Sequence, residues 1–455
     1  MPAARQSVTW RKPGIAFHAG PGAAVPWIGE SAPGSGGRRS TLGDNAFMPK
    51  KPRSHVSDLR GASQLAIDAT RGVTSLVEAM HVAIAGGPAV LGQPWRGPVQ
   101  RAVGPIYHVI RGVTQLVGDS IDLALAPLTA LLGSSIPGIE REAALGVLNG
   151  VLGDYLCERG NPLAIAMALR YRGEPLELTP DGVRGAIPGA GRKLVVLVHG
   201  LCMTDRQWTR GGHDHGAALA RDLGYTPVYV HYNTGLHVSS NGHQLAAQLD
   251  QLVAAWPVPL DELVVLGHSM GGLVARSAVF AGEQAGHAWR SRLTSLITLG
   301  TPHHGAPLER AGHWVDRLFE ISRYSAPLGR LGRRRSAGIS DLRFGNVLDE
   351  HWRGFDPFEQ RDDRRRPLPL PAGVACYAVA GTLRSTSADR LAGDGLVPVA
   401  SALGVHDAPA LTLGFPDDHR WIAAGVRHTD LLGDAAVYAR IRSWLSPPDL
   451  AACST

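Results

Sequence analysis

The hydrophobic pattern in the second half of the chain predicts a parallel β-sheet. From residue 193 onward, short continuous apolar runs alternate with stretches of helical periodicity at 240–255 and 270–281. Continuous β-branched runs are typical of strands buried on both faces, and strands that alternate with helices are typical of a parallel sheet. We therefore predict a mostly parallel α/β sheet flanked by helices over residues 186–455. The predicted strands are "LVVLV" (194–198), "TPVYVHY" (226–232), "ELVVLGHS" (262–269), "LTSLITLGTP" (293–302) and "GVACYAVAG" (373–381).

The first 185 residues have a different pattern. Residues 1–54 are rich in Gly and Pro and have no sustained period, which predicts a flexible basic tail. Residues 55–185 combine a helical region with a linker, because apolar residues recur at helical spacing up to about residue 172. Two related helical segments are indicated by "RGVTSLV" at 71–77 and "RGVTQLV" at 111–117. A helical region packed on the sheet and one that contacts a lipid surface or a partner both stay open.

Charge and cysteine content narrow the choice of partner and compartment. The net charge is +6, and residues 1–54 alone carry eight Lys and Arg against two carboxylates, so the tail accounts for the excess. Without a basic stripe interleaved with aromatics, we expect no nucleic-acid partner. Four widely spaced cysteines and the lack of an evident signal segment favour a cytoplasmic protein. The most apolar window, 123–132, is too short to span a membrane and contains Pro127.

The segment "VLGHSMGG" (265–272) places a serine where a predicted strand turns into a helix. Small residues around that serine let the strand and the helix approach closely while its hydroxyl points outward, as in the nucleophile elbow of α/β-hydrolases. We predict that Ser269 is a nucleophile and that Gly267, His268 and Gly271 support it.

A serine nucleophile needs a histidine base and a carboxylate, which follow it in this order along such a fold. Asp394, in the glycine-flanked "GDGLVP" (393–398), is the predicted acid. His428 directly precedes the final apolar-periodic helix and is the predicted base, with His419 as its competitor. Nearby carboxylates are expected to be surface charges; these are Asp417, Asp418 and Asp430.

The loop after the first predicted strand, "VHGLCMT" (198–204), is expected to complete an oxyanion hole. In this fold one donor is the N–H after the nucleophile and the other comes from such an early loop. We therefore predict the backbone N–H groups of Leu201 and Met270 as donors. Gly200 opens the turn, and His199 braces the loop or is an ordinary core residue.

Together these motifs resemble lipases and esterases of the α/β-hydrolase superfamily, in particular bacterial relatives of the GPI inositol-deacylase-like hydrolases. The resemblance spans about residues 190–446 and does not reach 55–172. It implies carboxylic-ester hydrolysis through an acyl-enzyme, without a cofactor. The matching strings are "VHGL" (198–201), "GHSMGGLVAR" (267–276), "GTPHHGAP" (300–307), "DGLVP" (394–398) and "RHTDLL" (427–432).

A long insertion at about 303–371 interrupts the predicted sheet. It is interpreted as a lid, because segments of this length between strands often cover an active site. Its arginines are either solvated charges or contacts to anionic lipid headgroups. The histidines of "GGHDHG" (211–216) and the pair at 303–304 have no third ligand at a suitable spacing, so we expect no metal site. The predicted pocket and lid residues are Thr301, His303, Trp314 and Phe319, with Leu318 and Ile321 as further lid candidates.

The predicted activity is hydrolysis of a lipidic or otherwise hydrophobic ester by a Ser-His-Asp triad. The same triad also suits a thioesterase, an acyltransferase or an intracellular polyester depolymerase, because the acceptor is chosen by the shape of the pocket. A rival hypothesis is a protein that docks on a lipid surface or a partner through its helical region, with peripheral membrane or granule contact. The oligomeric state is left open.

Overall fold

The computed structural model describes residues 138–306, 336–354, 363, 365–383 and 393–446. These residues build an eight-stranded sheet in the order β2-β1-β4-β3-β5-β6-β7-β8. Strands β3 to β8 are parallel to one another, whereas β1 pairs antiparallel with both β2 and β4. The strands are β1 (Ala168–Tyr171), β2 (Glu174–Pro175), β3 (Lys193–Val198), β4 (Thr226–His231), β5 (Glu262–His268), β6 (Leu293–Leu299), β7 (Ala375–Thr382) and β8 (Arg420–Ala424).

Helices cover both faces of this sheet. Because of this cover, the central strands are buried throughout and have the continuous apolar sequences that predicted them. The helices among the described residues are α1 (Gly138–Glu158), α2 (Pro180–Ala186), α3 (His215–Leu223), α4 (Val238–Ala255), α5 (Met270–Ala285), α6 (Ala337–Phe344), α7 (Val399–Ala402) and α8 (Ala435–Leu445). None of the helices described is long and apolar enough to cross a membrane.

Alternate residues of β3 point into two hydrophobic cores. Val196 and Val198 belong to the larger core, together with residues of α4 and α5. Val195 and Leu197 belong to the second core on the opposite face, which includes residues of α3 and α8. Strand β4 lies on one side of β3 in the sheet, and the chain then crosses over β3 to form β5 on its other side. This crossing makes a topological switch point at the carboxyl ends of β3 and β5, where ligands bind in open α/β sheets.

The sheet confirms the predicted fold class, but three strands were not predicted. The run "ALRY" of β1 and the two residues of β2 are too short for a hydrophobic period, and pairing with β4 brings them into the sheet. The edge strand β8 is only partly buried and lacks a continuous apolar run. Two strands of the sheet, β1 and β2, precede residue 186 in the chain.

Several expectations fall outside the described residues. They concern the basic tail over 1–54, the repeat at 71–77 and 111–117, and the lid residues Trp314 and Phe319, with Leu318 and Ile321. The long helix that the structure describes in the predicted helical region is α1, which packs on the sheet through Val147 and Val151. The division into tail, helical region and catalytic domain stays a prediction.

Candidate functional site

Ser269 occupies a tight turn between the end of β5 and the start of α5. Its backbone has φ 54° and ψ −124°, a conformation that is costly for a residue with a side chain. Glycines make the turn fit: a Cβ on Gly267 would lie 2.6 Å from Gly272 Cα, and one on Gly271 would meet the carbonyl oxygen of Val198. The Ser269 N–H donates to Leu299 O at 2.8 Å, which ties the turn to the end of β6.

Asp394 and His428 form a buried pair beyond the carboxyl ends of β7 and β8. His428 Nδ1 lies 2.7 Å from Asp394 Oδ2, and the side chains are 6% and 0% exposed. Asp394 Oδ1 accepts hydrogen bonds from the backbone N–H groups of Leu396 at 2.9 Å and Val397 at 2.8 Å. The carboxylate is therefore held on both oxygens, and the pair has one defined orientation.

The turn at Gly300 connects this pair with Ser269. A Cβ at Gly300 would lie 3.1 Å from both Asp394 Oδ2 and His428 Cε1, and the preceding residue accepts the hydrogen bond of the Ser269 N–H. His268 joins the two sides directly, since its Nε2 lies 3.0 Å from His428 O. The structure thus brings Ser269, Asp394 and His428 to one edge of the sheet.

His419, the competing base, lies elsewhere. It immediately precedes β8, at the amino end of that strand, whereas His428 follows its carboxyl end. Its Nδ1 lies 3.0 Å from Cys376 O, near the amino end of β7. Because β7 and β8 are parallel, His419 is separated from the Asp394–His428 pair by the length of the strand.

Two buried histidines near the Ser269 turn are neutral at physiological pH. Burial lowers the pKa of His199 to about 3, and burial with the nearby His428 holds the pKa of His268 well below its usual range. Because carbonyl oxygens only accept, His199 Nδ1 donates to Gly200 O at 3.0 Å. Tyr232 stacks on the ring of His199 at 4.4 Å between centroids and donates to His199 O at 2.7 Å. These contacts brace the loop after β3.

The loop after β3 passes directly beside the Ser269 turn. A Cβ on Gly200 would lie 3.1 Å from Ser269 Cβ, so glycine permits this approach. Cys202 has φ 60°. Its N–H donates to Thr234 Oγ1 at 3.1 Å, so this N–H already has an acceptor within the protein. The N–H of Leu201 has no hydrogen-bond partner among the residues that the structure describes. Met270 is the first residue of α5, where backbone N–H groups have no intrahelical acceptor.

Helix α1 packs against this loop. Its glycines face the loop at very short range: a Cβ on Gly150 would meet Cys202 Sγ, and one on Gly146 would lie 2.8 Å from Thr204 Cγ2. Gly153 makes a similar contact with Asn233, whose Nδ2 donates to Gly153 O at 2.9 Å. The sequence analysis missed this role of α1; the spacing of its glycines was the available signal.

The remaining predicted residues have different surroundings. Thr301 is fully buried and packs where Gly272 leaves room for it. His303 is also buried, with Nδ1 3.4 Å from Arg276 Nη1 and Nε2 3.3 Å from Thr298 Oγ1. Its ring therefore faces α5 and β6 in the interior, and a place in an acyl pocket stays a prediction.

The histidines of the 211–216 segment contact each other and the protein backbone. His213 Nε2 lies 2.8 Å from His215 Nδ1, and His215 Nε2 lies 2.9 Å from Leu431 O. Within the described ranges, no three His, Cys, Asp or Glu side chains are grouped in a way that could hold a metal ion.

Comparison with known proteins gives one family match. Residues 190–326 match the model of the PGAP1-like alpha/beta domain. This match covers less than a third of the chain, and in that part it supports the predicted resemblance to α/β-hydrolases. No curated protein sequence matches the chain.

Three solved structures illustrate what the chain is similar to. The mature lipase BlEst2 of Bacillus licheniformis is 16% identical, with 62% of this chain and 98% of that chain covered and a TM-score of 0.37. The Pyrococcus furiosus esterase Pf2001 is 14% identical, with 56% and 81% covered and a TM-score of 0.32. The Legionella pneumophila phospholipase PlaB is 17% identical, with 46% and 45% covered and a TM-score of 0.31.

Proposed function

We propose that the chain is a serine hydrolase that cleaves carboxylic esters with hydrophobic acyl groups through an acyl-enzyme intermediate. The observation that carries this proposal is the Asp394–His428 pair, 2.7 Å apart, beside a strand–turn–helix serine with φ 54°. A serine hydroxyl is a weak nucleophile at neutral pH and needs such a base.

In the first step, Ser269 Oγ attacks the ester carbonyl carbon while His428 Nε2 takes the hydroxyl proton. Asp394 accepts the hydrogen bond from His428 Nδ1, which keeps Nε2 free to accept and stabilises the imidazolium that forms. The tetrahedral intermediate collapses when the C–O bond to the alcohol breaks, and His428 gives its proton to the leaving oxygen. Water then repeats the sequence on the acyl-enzyme and releases the acid.

The developing oxyanion would accept hydrogen bonds from the Leu201 and Met270 N–H groups. This assignment is supported by the Cys202 N–H, which is already bonded to Thr234 and so leaves Leu201 as the neighbouring donor. Loss of one such donor typically lowers the rate by roughly a hundredfold or more. The hydrophobic acyl group is proposed from the resemblance of the sequence motifs to lipases and esterases.

Initial rates with p-nitrophenyl esters from acetyl to palmitoyl test the proposal. We expect activity with an optimum chain length, abolished by Ser269→Ala and retained by Ser277→Ala, a matched serine on the same helix. Equal rates for wild type and Ser269→Ala would overturn the assignment of Ser269 as the nucleophile.

The acyl acceptor and the cellular compartment need separate tests. An acyl-CoA substrate detected by released thiol tests thioesterase activity, and added hexanol detects acyl transfer as hexyl ester. We expect water as the acceptor and a cytoplasmic setting, consistent with the unpaired cysteines 157, 202 and 376.

A further inference from the structure

A small cavity lies between α5 and the described residues that follow β6. Its volume of about 20 Å³ is enough for one small ion or one water molecule. Positively charged and imidazole side chains dominate its lining, which includes no carboxylate from the part of the chain that the structure describes. They are Arg276, His303, His304, His351, Arg365 and Arg366.

Two of the three arginines have carboxylate partners. Arg365 Nη2 lies 2.6 Å from Asp363 Oδ2, and Arg366 Nη1 lies 2.9 Å from Glu350 Oε1. Each of these ion pairs neutralises one arginine, so one of the three arginines that line the cavity has no carboxylate partner among the described residues.

That cation is Arg276, which projects from α5 and is only 5% exposed. Its Nη2 donates to Leu368 O at 2.7 Å, and its Nη1 lies 3.4 Å from His303 Nδ1. Both partners are neutral acceptors, and its Nε has no hydrogen-bond partner. Within the described ranges, Arg276 is therefore a buried guanidinium without a counter-charge.

The other titratable groups described around the cavity do not supply a negative charge. Burial lowers the pKa of His304 and His351 to about 4, and burial together with Arg276 holds that of His303 well below its usual range. Burial raises the pKa of the Cys376 thiol to about 12, so it stays protonated. Burial lowers the pKa of Arg276 to about 10, which leaves it charged at neutral pH.

A buried charge is costly unless it is paired, and water can solvate it but cannot neutralise it. We propose that this cavity, between Arg276 and Arg365, binds one small monovalent anion of about the size of chloride. The single uncompensated charge sets the valence, and the volume sets the size. Such an ion bridges α5, whose first turn follows Ser269, and Arg365. This site is separate from the proposed ester-cleaving groups and does not depend on their function.

The first test is the ³⁵Cl NMR line width of sodium chloride added to the full chain in a gluconate buffer. We expect wild-type protein to broaden the line and bromide to reverse the broadening by competition. Arg276→Gln should lose most of the excess width, at least about fivefold. Arg290→Gln should keep it, because Arg290 is also largely buried but is paired with Glu283. Equal broadening by wild type and Arg276→Gln would overturn the proposal.

A second measurement needs no variant and covers the case in which Arg276→Gln does not fold. Crystals of the wild-type chain soaked in sodium bromide should give an anomalous peak within hydrogen-bonding distance of the Arg276 and Arg365 guanidinium groups. Bromide peaks only at other places would overturn the proposed site. Ester hydrolysis plays no part in either readout, so failure of the proposed function would not be mistaken for failure of this inference.

Discussion

Asp394→Asn tests the proposed triad at a single atom. The N–H groups of Leu396 and Val397 both donate to Asp394 Oδ1, so this atom must remain an oxygen in the variant. The amide nitrogen of Asn then takes the place of Oδ2, 2.7 Å from His428 Nδ1. An amide nitrogen only donates, so Nδ1 must accept and the ring proton moves to Nε2.

The magnitude follows from this change of tautomer. A ring protonated at Nε2 cannot take the proton of Ser269, although every heavy atom keeps its place. The same substitution in the serine protease triad lowers kcat about 10⁴-fold, and we expect a loss of similar size here. At about 1.4 kcal/mol per tenfold change, this is about 5 kcal/mol of transition-state stabilisation. KM should change little, because no substrate contact is removed.

Steady-state hydrolysis of a p-nitrophenyl ester measures the effect, with circular dichroism to establish folding. Asp430→Asn is the matched control: this carboxylate is two residues from His428, but it is about half exposed and pairs with Arg210. We expect its kcat to stay within about twofold of wild type, since exposed ion pairs contribute little. A folded Asp394→Asn variant that keeps more than a tenth of wild-type kcat would refute the reasoning.

Three further predictions concern the supporting structure. Gly150→Ala should lower kcat about tenfold or more, because the added Cβ would displace Cys202 and the loop after β3. A second substitution in the same chain, Cys202→Gly, should restore kcat. A Gly150→Ala variant with unchanged kcat would contradict this prediction. Gly271→Ala should lower the melting temperature by several degrees, measured by calorimetry, because its Cβ would meet carbonyl oxygens at the end of β3. Burial lowers the pKa of His199 to about 3 and of His215 to about 4 from an ordinary 6.5, so the unfolded chain binds more protons below pH 6.5. The free energy of unfolding should therefore fall as pH falls from about 6.5 to 4, by about 1.4 kcal/mol per pH unit for each histidine. Urea titrations at several pH values measure this slope, and His215→Asn should reduce it. A free energy of unfolding that does not change over this pH range would contradict the prediction.

The parallel strands were predictable because each carries its own signal. β3 and β5 are continuous apolar runs, since helices cover both faces of the sheet. The turn at Ser269 was predictable for a related reason. The close packing of β5 against α5 requires small residues within a few positions of the serine. Local physical constraints of this kind are readable from a single sequence.

What the sequence did not indicate depends on contacts between distant residues. The strand β1 is four residues long and exists because β4 offers it an edge. The hydrogen bond from Tyr232 to His199 O joins residues 33 positions apart, and no pattern in either segment marks it. The isolation of Arg276 also became visible only once its neighbours in space were known.

The most direct test of the central claim is covalent labelling with a fluorophosphonate, followed by peptide mass spectrometry. We predict one adduct per chain, located on Ser269 within the tryptic peptide 222–276, with activity lost in proportion to labelling. His428→Asn should slow the labelling strongly, because the base is missing. An adduct on another residue, or full activity after Ser269 is modified, would contradict the account.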